Sequence, residues 1–341
     1  MERLVTDMTE TEILFDLLEK GISPAHAVSA CEKRLTDAGF EVVDYGTAWN
    51  LKAGGKYVVN HHETTLLAFT LPQNWSDREP AIRIAAAHTD FPCLRIKPSC
   101  DIQTNGYAQV NVEVYGGAIL NTWLDRPLGV AGRVAVRSGD VFTPKVVTFQ
   151  SEKNLMTIPN LAIHMNREVN KGVELNKQTE LLPICGLSDD ADYFLDFLAK
   201  ELAVKKEDIL DFELTIYNKE KPEFVGLNDE FISASRLDNL NSCSALVSAI
   251  IDSDRADGMN LIALFDHEEI GSRSKQGAGS ILLHDMLVRI LTECGLEKEV
   301  WNRLYNSMIL SVDVAHGLHP NYAGKMDLTN KPVLGKGFCI K

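Results

Sequence analysis

The chain has 341 residues, 45% of them hydrophobic and 24% charged, and a formal net charge of -14. That length exceeds what one small core needs and predicts two domains of an ordinary globular protein. The acidic balance excludes the basic footprint of a nucleic-acid binder, although a local pocket on a negative protein can still be positive.

The acidic start, "MERLVTDMTETEILFDLLEK", lacks the basic residues and apolar stretch of a secretory signal. No apolar run approaches the ~20 residues of a membrane span. Residues 9–20 pattern as an amphipathic helix. A second helix follows, with Ser23 as its cap, Pro24 at its first position and Gly39 past its end. Residues 57–70 alternate and carry β-branched side chains, which predicts two strands. "AIRIAAA" (81–87) reads as a buried strand. From about 93 to 226 the pattern changes to short strand-like runs, such as "YAQVNVEVY" and "PKVVTF", with one helix after Ser188. Beyond 226, "FISAS", "NLIALF" and "SMILSVDV" read as strands, with helices over 238–252 and roughly 278–295.

This order predicts an α/β domain, a mainly parallel sheet with helices on both faces, built from residues 1–92 and 227–341. A β-rich segment, 93–226, interrupts it. The seven cysteines are an odd number without a C-x-x-C pair, which predicts reduced thiols in the cytoplasm and no cysteine-rich zinc site.

A sheet of this kind gathers its site at the carboxyl ends of its strands. His88 and Asp90 follow the strand 81–87, and Glu268 and Glu269 follow 260–265. Asp313 ends "SMILSVD", and Asp238 sits in "SRLDNL" between a strand and a helix. One imidazole and several carboxylates suit zinc or a similar divalent ion. Two such ions, ~3.5–4 Å apart, clamp attacking and leaving oxygens. Asp90 would accept the second imidazole N–H. Adjacent glutamates in an extended segment point apart, so one would bind metal while the other acts as general base. Each residue alone also has a plain reading: Asp238 as an N-cap, the glutamates as first-turn charges, His88 as a core histidine. His316 and His319, in "AHGLHPN", are candidate pocket residues.

"HTDFPCLRIKP", "YGGAILNTWLDRPLGVAGRV", "IPNLAIHMNREVN", "ISASRLDNLNS", "FDHEEIGS" and "SVDVAHGLHPNY" resemble, in order, the segments of the M18 metallopeptidases, the aspartyl aminopeptidase family. The resemblance implies a zinc-exopeptidase-like fold and a site for two zinc ions. His88 and Asp313 would bind one ion, Asp238 would bridge, and Glu269 would bind the other. Glu268 would be the general base and Asp90 the group orienting His88. The insert would mediate dimers that assemble into a dodecamer. His164, in the insert's "AIH" segment, would reach a neighbouring subunit's site and stabilise the oxyanion. Substrates would be peptides, many with amino-terminal Asp or Glu, and Arg236, Lys336 or Lys341 could meet that acidic side chain. Members of the family run further, and their last zinc ligand, a histidine, lies in that part, so the resemblance implies either a fragment or a C-terminally truncated protein, and in the second case the second metal site lacks that ligand. Two rival expectations remain: a related di-zinc carboxypeptidase or deacylase, and a non-catalytic assembly subunit.

Overall fold

The computed structural model describes residues 8–75 and 80–340. The acidic start before Met8 and Lys341 lie outside the described residues. Helix α1 (Glu10–Lys20) opens on a reciprocal cap: the Thr9 hydroxyl accepts the Glu12 N–H while the Glu12 carboxylate accepts the Thr9 N–H. Helix α2 (Pro24–Asp37) starts on the Ser23 side chain, with proline where its missing N–H costs nothing.

The first sheet has six strands in the order β1 (Glu41–Val42), β2 (Lys56–His61), β3 (Thr65–Thr70), β13 (Met259–Phe265), β4 (Ile82–His88) and β14 (Met308–Ser311). β1 with β2, β13 with β4 and β4 with β14 are parallel, whereas β3 pairs antiparallel with β2 and with β13. Side chains alternate between two cores, as a strand's period of two requires. Val58, Leu66, Ala68, Ile262 and Leu264 pack under α1, α2 and α4 (Leu237–Ile251). Tyr57, Leu67, Phe69, Leu261 and Ala263 pack on the other face against α5 (Leu282–Glu293) and α6 (Val300–Tyr305).

The intervening residues form a second, antiparallel six-stranded sheet in the order β8 (Lys145–Gln150), β7 (Leu128–Val136), β10 (Ile209–Asn218), β5 (Cys93–Thr104), β6 (Tyr107–Tyr115) and β9 (Ile184–Gly186). Helix α3 (Tyr193–Glu201) covers it through Phe194 and Leu198.

Three elements differ from the sequence reading. "FISAS" contributes β12 (Phe231–Ser233), which pairs only with β11 (Glu223–Val225) in a small ribbon instead of joining the first sheet. Helix α5 begins at Leu282, later than its apolar pattern suggested, because Gly277 and Gly279 pack against the Ser272 main chain in a turn. β14 ends at Ser311 and is an edge strand, with Met308, Ile309 and Leu310 each at least half exposed.

Gly132 in β7 is a backbone position only glycine fills. Its φ is +149°, and a Cβ there would lie 2.0 Å from the Glu213 carbonyl oxygen on the paired strand. Gly132→Ala is expected to destabilise the fold by about 1–3 kcal/mol or more. Urea unfolding checks this, and a wild-type midpoint would contradict it.

Candidate metal centre

Three neighbouring parallel strands end at one edge of the first sheet. His88 of β4 pairs with Phe265, the last residue of β13, and Ala86 pairs with Ser311, the last of β14. The residues just past those ends, 266–269 and Asp313, therefore emerge beside His88. Helix α4 packs on the same sheet and brings Asp238, in its first turn, to this edge. The Asp238–Asn239 peptide bond is cis. Asn239 donates its side-chain amide to the Val312 carbonyl at 3.0 Å, which ties the helix start to the end of β14.

The His88 imidazole is buried, and its Nε2 faces carboxylates: Asp238 Oδ1 at 3.3 Å, Asp313 Oδ1 at 3.7 Å and Glu268 Oε2 at 3.8 Å. One ligand atom each from His88, Asp238 and Asp313 lie within 4.8 Å of one another. On the other side of the ring, Nδ1 is 3.0 Å from the Asp90 carbonyl oxygen and 3.4 Å from Asp90 Oδ1. A carbonyl only accepts, so Nδ1 carries a proton and Nε2 is the nitrogen turned to the acidic cluster, its lone pair open to a cation once the ring gives up its second proton.

Asp90 contacts the imidazole more closely through its main chain than through its carboxylate. That carboxylate is fully buried and serves three further donors. Oδ1 accepts the Glu268 N–H at 3.1 Å, while Oδ2 accepts the Glu269 N–H at 3.1 Å and the Tyr115 hydroxyl at 2.7 Å. The two glutamates are not in an extended segment, as the sequence suggested. They open a single 3₁₀ turn, Glu268–Ile270, set off by left-handed residues at His267 (φ 64°) and Gly271 (φ 97°). A strand would alternate its N–H groups, whereas this turn aims both at Asp90.

Crowding shifts the protonation equilibria. Burial opposes a charged His88, but the hydrogen bonds and charge of Asp90, with Glu268, outweigh it and raise the imidazole to about 9. Burial of Glu269, reinforced by Asp238, Asp90 and Glu268, raises its carboxyl to about 7. Burial and then Asp313 also raise Asp238. Tyr115 is raised by burial and Asp90, so its hydroxyl stays a donor. Cations would relieve this repulsion, and among the described residues no lysine or arginine pairs with Asp238, Glu268, Glu269 or Asp313. An imidazole nitrogen and carboxylate oxygens on a half-exposed rim fit zinc, which would displace the imidazole's second proton.

The other candidates lie apart from the cluster's contacts. His164 is exposed on a turn, and His316, His319 and Lys336 are exposed. Arg236 spends its guanidinium on the Leu18 carbonyl at 2.8 Å and the Asn218 carbonyl at 3.4 Å, contacts that join α1 and β10 to the start of α4.

The profile of the Aminopeptidase I zinc metalloprotease (M18) family matches residues 17–341. The chain is 41% identical over 334 residues, 96% of its length and 77% of the relative's, to a probable M18 family aminopeptidase 2 of Clostridium novyi. The chain belongs to the M18 aminopeptidase family. A Chaetomium thermophilum mApe1 structure superposes with TM-score 0.84 at 29% identity, covering 94% of this chain and 78% of that one. The Saccharomyces cerevisiae mApe1 dodecamer gives TM-score 0.75 at 24% identity, covering 95% and 75%.

This M18 metalloaminopeptidase also holds site residues that the sequence did not single out. Tyr115 ends a strand that read simply as alternating, and only the Gly-Gly after it marks a sharp change of direction. The Cys243 thiol donates to the His88 carbonyl at 3.1 Å from within α4, where it looked like any buried apolar residue.

The proton balance gives a test. Both His88 and Glu269 hold protons more tightly in the fold than their ordinary values, so each stabilises the chelator-treated protein at low pH. Those contributions disappear as pH rises through about 7 for Glu269 and about 9 for His88. The thermal midpoint in chelator is expected to fall between pH 5 and 9, and saturating zinc, which displaces the same protons, is expected to remove the fall. A chelator-treated midpoint that does not fall over this range would contradict the assignment.

Proposed function

We propose that the chain removes amino-terminal residues, acidic ones preferentially, from peptides at a centre for two zinc ions. The convergence of His88, Asp238 and Asp313 on one point carries this reading. In it, His88 and Asp313 would hold one ion, Glu269 would hold the second, and Asp238 would be shared between them. Bound zinc would supply Lewis acidity toward the scissile carbonyl and acidify the attacking water.

The protein's own groups do the rest. Glu268, half exposed at the rim, takes the proton of the attacking water and returns it to the leaving amine. Asp90 keeps Glu268 facing the His88 imidazole through its main chain, so the base is held without occupying its carboxylate. The free α-amino group of the substrate meets the acidic rim, which favours cleavage at the chain end. His164, solvent-facing on its turn, is assigned to a neighbouring subunit's oxyanion. The β-rich segment is assigned to dimer contacts, and the dodecamer of the S. cerevisiae relative supports assembly into homo-oligomers. A different group from Arg236 meets an acidic substrate side chain, because that guanidinium is committed to main-chain carbonyls. No helix among the described residues is long and apolar enough to cross a membrane. The seven free cysteines are the feature behind the assignment to a reducing, cytoplasmic setting.

Glu268→Gln is expected to retain zinc while turnover falls about a hundred- to ten-thousand-fold; wild-type turnover would remove the base assignment. Peptides with a free amino terminus should be cleaved and their N-acetylated forms left intact. Cleavage of the blocked forms would favour a deacylase or carboxypeptidase, and a chain that binds no zinc would favour an assembly subunit.

A further inference from the structure

Strand β6 belongs to the second sheet, yet its last residue and the glycine that follows touch the metal centre of the first. Tyr115, 6% exposed, donates its hydroxyl to Asp90 Oδ2 at 2.7 Å. That carboxylate is the one that receives the main-chain N–H groups of both Glu268 and Glu269. Gly116 has φ +72°, and a Cβ there would lie 3.0 Å from both Glu269 Cβ and Glu269 Oε2. The bare backbone at 116 thus leaves room for the Glu269 side chain.

The strand end is itself anchored in the second sheet. The Arg95 guanidinium lies over the Tyr115 ring at 4.0 Å and pairs with Glu213 at 3.0 Å. Arg133 holds the other Glu213 oxygen at 2.8 Å. A chain of packed and charged contacts therefore runs from the interior of the β-rich sheet to a carboxylate behind the metal ligands.

We propose that Tyr115 is a positioning residue of the metal centre. Its hydroxyl fixes the Asp90 carboxylate in the orientation that holds the Glu268–Glu269 turn against His88, so the β-rich sheet sets the geometry of a site built on the other sheet. The inference rests on the two-zinc reading above. Without the hydroxyl, Oδ2 keeps only the Glu269 N–H, and the buried carboxylate is free to turn away from the pair of glutamates. Tyr115→Phe removes the hydroxyl alone and retains the ring that stacks with Arg95.

The test uses the full chain and three readouts, of which turnover is the third. Zinc affinity is measured by competition with a chromophoric chelator, and amide hydrogen exchange at Glu268 and Glu269 is measured on chelator-treated protein. Tyr107→Phe, exposed at the start of the same strand, is the control. Tyr115→Phe is expected to weaken zinc binding about 10- to 100-fold and to speed exchange at the two glutamates about tenfold. In turnover it should lower kcat with little change in KM, whereas Tyr107→Phe should leave all three measurements at wild-type values. Wild-type zinc affinity and exchange in Tyr115→Phe would overturn the proposal. A wild-type chain that binds no zinc would sink the two-zinc reading instead, and exchange at the turn would still decide whether Tyr115 positions it.

Discussion

The acidic groups at the carboxyl edge of the first sheet repel one another, and the local structure is organised around that repulsion. His88 faces Asp238, Glu268 and Asp313 on one side and Asp90 on the other. The response is visible in the raised His88, Glu269 and Asp238 equilibria, where protons stand in for the charge that cations would supply. Asp90 is the exception, held in its charged form despite burial because His88 and Tyr115 hydrogen-bond to it. It therefore serves as the fixed point to which the His88 ring and the Glu268–Glu269 turn are attached.

Parallel pairing explains why the site forms where it does. Because β13, β4 and β14 run in one direction, their ends coincide and three separate stretches of sequence deliver side chains to the same crevice. The antiparallel β2–β3 hairpin fills the two cores and sends its turn to the same edge, where the Thr65 hydroxyl accepts the Asp266 N–H at 3.2 Å and Thr89 donates its hydroxyl to the Thr64 carbonyl at 2.8 Å. The β-rich sheet adds a wall, since the chain passes from β4 into β5 of the second sheet just after Asp90 and β6 returns to bring Tyr115 against it. Because the β-rich segment departs just after His88 and Asp90, the acidic cluster of one sheet lies against the end of β6 from the other.

Much of this was legible in the residues. The strands and caps follow from alternation, Thr9, Ser23 and Pro24, because local sterics and hydrogen bonding decide them. The strand-end histidine and acids stood out because charge directly after an apolar run has few structural uses. What stayed hidden depends on distant partners. Asp90 meets Glu268 across 178 positions in sequence, and no pattern around either residue announces the other. The turn at Glu268 follows a left-handed His267, and although histidine adopts that conformation more readily than most residues, its neighbours in sequence do not announce it. "FISAS" has strand chemistry, but its pairing was decided by β11 instead of by the sheet it resembled. Arg236 looked like a pocket cation and turned out to be a brace for α1, since side-chain reach is unreadable from spacing.

Anomalous diffraction from zinc-loaded crystals, recorded on both sides of the zinc absorption edge, addresses the central claim most directly. The account predicts two peaks ~3.5–4 Å apart, one beside His88 and Asp313, one beside Glu269, with Asp238 between them. A zinc-replete crystal with no anomalous density at these four side chains would contradict it.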